Sequence, residues 1–228
     1  MSKDTGDTQK RSRFKILHIL LIIFVLIFVA VGIFAYSNRE NLMVVYYAYR
    51  TSKEDLQVQQ EENDQRIRKV LNGLTDVQMR ELTEEERKML DAGEITEEEA
   101  IDLVTGRVAE REASLSRKES LIAQIYVLRA TYTSRIESLI ANAKSKYIAL
   151  DESEQTTVAK FAIAEELVKQ GNALEAECDG QMDMLLDNLR TELENLGEDT
   201  NTVSEIKSIY TQEKRIKKAV IIDTYYPN

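Results

Sequence analysis

Two carboxylate triplets, Glu84-Glu85-Glu86 and Glu97-Glu98-Glu99, are the densest titratable groups in this chain, and each follows a threonine. Such groups could do acid–base chemistry or hold a cation if their oxygens converged. Consecutive helical positions point in diverging directions, so these do not converge. The spacing of Thr83 with Glu86 and of Thr96 with Glu99 instead makes capping boxes, in which hydroxyl and carboxylate each satisfy an orphan backbone N–H. Nucleophilic chemistry has little to draw on, because the chain has one cysteine, Cys178, and one histidine, His18, and the histidine lies inside an apolar block. A lone thiol closes no internal disulfide. Neither a zinc ligand set nor a His-based triad can be assembled. No phosphate-binding loop, dinucleotide fingerprint or EF-hand spacing occurs. The expectation is a protein with no catalytic residue, no metal and no cofactor, and so not an enzyme.

The remaining candidates make contacts. Lys214, Arg215, Lys217 and Lys218, with Lys207 before them, stand out in an acidic chain. They complement the dipole at a helix C-terminus, or they meet anionic headgroups at a membrane surface. Leu121, Ile125, Leu128 and Tyr132 follow the 4-3-4 spacing of a coiled-coil seam and form a candidate self-association surface. Cys178, on an apolar stripe, reads as a small buried hydrophobe, or as a symmetric disulfide partner in a parallel dimer. The net charge is −10, and the basic N-terminal segment leaves −13 after Tyr36. That charge repels phosphate, so no nucleic-acid partner is expected.

The elements that must position these residues begin with Ile16 to Tyr36, 21 residues without a formal charge. At 1.5 Å per residue such a helix is roughly 31 Å long, the thickness of a hydrocarbon core. Lys3, Lys10, Arg11, Arg13 and Lys15 precede it against only Asp4 and Asp7. The positive-inside rule then gives a single-pass, type II anchor, with the N-terminus cytoplasmic and the bulk extracytoplasmic. A cleavable signal peptide is the alternative, since Ala35 and Ser37 are small, but its apolar region is normally shorter. No Asn-x-Ser/Thr sequon is present, which fits a bacterial envelope protein.

One proline and eight glycines among 228 residues, with many helix formers, predict an all-α fold. The organisation expected is a basic tail over 1–15, the transmembrane helix over 16–36, and a juxtamembrane stalk helix over 37–74 that is polar all round from Gln57 to Gln65. A short capped hairpin over 75–106 follows, and then a long-helix bundle and C-terminal tail over 107–228. Within the bundle one uninterrupted helix is expected from Arg107 to Leu150, a second from Thr156 or Thr157 to Leu196, and a third from a capping box at Thr202 and Glu205. Short connections favour an up-and-down hairpin or bundle with coiled-coil character.

The string from Leu90 through Gly93, Ile95 and Thr96 to Glu99 and Ala100 resembles the turn of the SHOCT short helical-hairpin family, over residues 83–106. It departs from that pattern at Ala100, where an aromatic is usual, and in its mid-chain position. The resemblance implies an interaction role for the hairpin. The sequence as a whole predicts a membrane-anchored scaffold or adaptor, with the lipid bilayer and a protein partner or a second copy as its contacts. A ligand-binding or sensory ectodomain and a phage-type lysis or membrane-bridging protein are the alternatives.

Overall fold

The computed structural model describes residues 39–107 and 115–225. The expected anchor, Ile16 to Tyr36, and the basic tail lie outside them. Among the described residues no helix is long and apolar enough to cross a membrane. Seven helices and no strands occur there: α1 (Arg39–Arg50), α2 (Lys53–Asn72), α3 (Glu84–Asp91), α4 (Glu97–Thr105), α5 (Arg117–Ile148), α6 (Thr157–Leu196) and α7 (Asn201–Tyr225). They fall into two compact units, one spanning 62–212 and one that includes α1, the first half of α2 and the C-terminal half of α7.

In the larger unit, α2, α5, α6 and α7 form an up-down-up-down bundle. Ion pairs and hydrogen bonds fix each antiparallel neighbour: Asp64 to Arg129 joins α2 and α5, and Arg117 to Glu192 joins α5 and α6. Tyr210 to Asp179 joins α6 and α7, and Arg66 to Glu205 closes α7 onto α2. The core is apolar and continuous, with Ile67 and Leu71, Ile122 and Ile125, Met182, Leu189 and Leu193, and Ile206 and Ile209 all fully buried. Each such side chain contributes about 1.5–3 kcal/mol over its exposed state. The part of α2 within this unit opens with polar contacts: buried Asn63 donates to the Ile209 carbonyl, and Asp64 pairs with Arg129. In the smaller unit Ala48, Leu56 and Ala219 form a separate cluster.

Local chemistry sets most boundaries. Both expected capping boxes are present, at Thr83 with Glu86 and at Thr96 with Glu99, and Gly106 ends α4 with φ +69°. Gly197, φ +72°, ends α6 in the same left-handed conformation that glycine adopts without a Cβ penalty. Three expectations are corrected. The stalk is not one helix: it breaks at Thr51-Ser52, and the Ser52 hydroxyl accepts from the Asp55 N–H to start α2 afresh. The first long bundle helix does not run from Arg107, because Ser116 and Glu119 form a further capping box and α5 begins at Arg117. With 32 residues it is about 48 Å long, rather than the ~65 Å of the longer reading. Finally, Thr202 lies inside α7, where the Asp199 carboxylate accepts from the Asn201 N–H, so the box at Thr202 and Glu205 is not the start.

Candidate functional site

In each carboxylate triplet the third member, Glu86 or Glu99, is engaged in the cap. The Glu86 carboxylate accepts from the Thr83 N–H at 2.8 Å and faces the Arg80 guanidinium at 2.7 Å. The Arg80 hydrogen bond is the main reason its carboxyl is held down at about 2. Glu99 and Glu119 are lowered chiefly by the backbone N–H groups of Thr96 and Ser116. No group of three or more His, Cys, Asp or Glu is placed to hold a metal ion among the described residues.

Two polar clusters sit inside the bundle. Arg129, only 6% exposed, reaches Asp64 at 2.9 Å on α2 and Glu81 at 3.0 Å in the segment before α3. One turn earlier on α5, burial pushes the Tyr126 hydroxyl up to about 12. The second cluster is Cys178, Asp179 and Tyr210. The Tyr210 hydroxyl donates to the Asp179 carboxylate at 2.7 Å and lies 3.2 Å from the Cys178 sulfur, and burial pushes the phenol well up. Cys178 is buried in the core, as its apolar stripe implies. A disulfide between two copies would require the bundle to open there.

The apolar seam is used within the single chain. Leu121, Ile125 and Tyr132 are buried and Leu128 is half-buried, all in the bundle core. The capped hairpin is likewise packed on α5: Ala100 and Val104 are fully buried, and Arg87 and Asp91 reach Glu137 and Ser138. The basic segment of α7 is divided. Arg215 is exposed, whereas Lys214, Lys217 and Lys218 are half-buried and Lys217 pairs with the buried Glu213 at 2.8 Å.

The surface with most to offer a partner is the distal part of α5 and α6. From Arg135 to Glu177 no described side chain is fully buried, so beyond Ser134 and Cys178 the two helices form an arm whose described apolar residues are partly buried or exposed. Its base is held by Arg135 and Glu177. At its tip the Tyr147 hydroxyl donates to the Gln155 carbonyl, while the Lys160 ammonium lies over the Tyr147 ring. Ile148, Val158 and Val168 remain exposed. A groove of about 190 Å³ runs along the arm, lined by Leu139, Ala143, Ile163 and Leu167 and rimmed by Lys146 and Glu166. That is smaller than the pockets that enclose drug-sized ligands.

Sequence reasoning missed Arg129 and the arm. A charged residue set between Leu128 and Tyr132 was the available signal for the first. For the second no local signal exists, because the α6 stripe continues through Val168 and Leu174 without change of character. No family model, curated protein or solved structure matches the chain.

Proposed function

We propose that this protein is a non-enzymatic, membrane-anchored helical adaptor, held by the block at Ile16 to Tyr36 with its helical part extracytoplasmic. Its α5–α6 arm is the contact surface for a protein partner or a second copy. The observation that carries this reading is the arm itself, two paired helices with Ile148, Val158 and Val168 exposed and no buried side chain among the described ones between Arg135 and Glu177. Solvated helices of this kind gain stability when a partner covers their apolar face. The capped hairpin, although similar to SHOCT hairpins, serves this reading as a brace on α5. The uncharged length of the anchor and the basic residues before it support the orientation.

A photo-crosslinking residue placed at Val158 or Val168 in the full chain, expressed in cells, is expected to give one discrete adduct. The same residue at exposed Met184 on the bundle should give none. Absence of an adduct from both arm positions would overturn the adaptor reading. Resistance of the full chain to alkaline extraction from membranes is the expected result for the anchor, and release into the supernatant would remove it.

A further inference from the structure

We infer that α1 is an interfacial helix, seated along the headgroup layer of an anionic bilayer by the face carrying Met43, Tyr46 and Tyr49. Those three side chains are 63%, 55% and 71% exposed, whereas Val44 and Ala48 on the same helix are buried. At 3.6 residues per turn, Met43, Tyr46, Tyr49 and Arg50 fall within a sector of roughly 120°, opposite Val44 and Ala48. The helix is therefore two-faced. One face packs in the cluster of Ala48, Leu56 and Ala219, and the other presents a methionine and two tyrosines to its surroundings.

What covers that face follows from what precedes α1 in the chain. The apolar block ends at Tyr36, three residues before Arg39 opens α1. Three residues span at most about 11 Å even when extended, so an anchored chain holds the start of α1 at the bilayer surface. There, tyrosine is among the residues that settle, its ring among the upper acyl chains and its hydroxyl in the headgroups. The charges agree. The helix RENLMVVYYAYR carries two arginines against one glutamate, and the exposed Arg50 lies over the Tyr46 ring with its guanidinium 2.7 Å from the Tyr46 hydroxyl. A cation held at an aromatic rim suits lipid phosphate. The break at Thr51-Ser52 supplies the remaining requirement, since it ends α1 after 12 residues, about 18 Å, and makes it a helix separate from α2.

This inference rests on the membrane-anchor reading, and the experiment separates the two. The chain contains no tryptophan, so Y46W and Y49W each introduce a single indole at an exposed site, and V158W, 77% exposed on the arm, is the control. Each full-length variant is reconstituted into phosphatidylcholine–phosphatidylglycerol vesicles with and without lipid brominated in the upper acyl chain. The indoles of Y46W and Y49W are expected to emit blue-shifted light and to lose most of it to the brominated lipid, while that of V158W emits as in water and is unquenched. Quenching of Y46W and Y49W no greater than that of V158W overturns the interfacial seat. Alkaline extraction of the same vesicles reports on the anchor alone: a chain that stays bound with unquenched indoles keeps its anchor and loses this inference. A chain that is extracted yet was quenched beforehand loses the anchor and keeps an interfacial α1.

Discussion

Glu86 shows how a single carboxylate is fixed by its neighbours. Its folded-state value of about 2 lies below the ordinary glutamate value near 4.3. Because the folded value is depressed, the stabilisation is fully present above the ordinary value and is lost as pH falls from about 4 through 2. We expect Glu86→Gln to cost about 1 kcal/mol at neutral pH, the usual scale of a cap. Thermal melts between pH 7 and 2 should show a smaller acid-induced loss for the variant than for the parent, and equal losses would refute the assignment. Arg129 behaves differently, because the cation is the buried member while Asp64 and Glu81 are partly exposed. Neutralising both carboxylates removes two charged partners of a buried guanidinium, so Asp64→Asn with Glu81→Gln should cost about 3 kcal/mol. Arg129→Met keeps the packing and lets the carboxylates turn to water, and should cost clearly less. Denaturant midpoints for the two variants measure the order, and the reverse order would rule out this account.

At the scale of elements, the boundaries are governed by side chains a few residues apart. Thr83 with Glu86, Thr96 with Glu99, and the glycines after α4 and α6 are readable as local patterns because capping is a local interaction. Ser52 with Asp55 and Ser116 with Glu119 have the same spacing, but they interrupt apolar periodicities that run on across them, and periodicity alone passes over the break. Substituting Gly197→Ala at φ +72° should destabilise the chain by about 1–2 kcal/mol, since a Cβ is strained in that conformation whatever space surrounds it. Ser116→Ala should cost about 1 kcal/mol and fray the first turn of α5. Both are read as shifts of the thermal midpoint, and an unchanged midpoint for Gly197→Ala would contradict the left-handed cap.

Within the larger unit, stability is distributed unevenly. The bundle buries its apolar residues between four helices, whereas the arm pairs two and buries none of its described side chains. Amides in the arm should therefore exchange with solvent well before those around Ile122, Ile125 and Tyr126, which open only with the whole bundle. Replacing residues 139–167 by a short turn should leave the bundle's cooperative melt within a few degrees of the parent while abolishing the crosslink expected at Val168, which the replacement retains. A collapse of the melt would show that the arm belongs to the core after all.

The sequence by itself determined the all-α class, the capped hairpin, the termination of α6 at Gly197 and the inward position of Cys178, Met182, Leu189 and Leu193. These rest on propensity, capping and a 3.6-residue period, all of which act within a few residues. Only the tertiary structure decided which apolar stripe meets which. Leu121, Ile125 and Tyr132 have the spacing of a seam for a second copy, yet they are buried by helices of the same chain. Val168 has the spacing of an inward residue yet is left exposed, because it is Ile163 and Leu167 on α6 that face Leu139 and Ala143 on α5. The chemistry-bearing residues follow the same division. That Glu86 caps a helix could be read from its place three residues after Thr83, whereas Arg129 meets Asp64 and Glu81, 65 and 48 residues away. Their meeting depends on α2, the hairpin segment and α5 folding together.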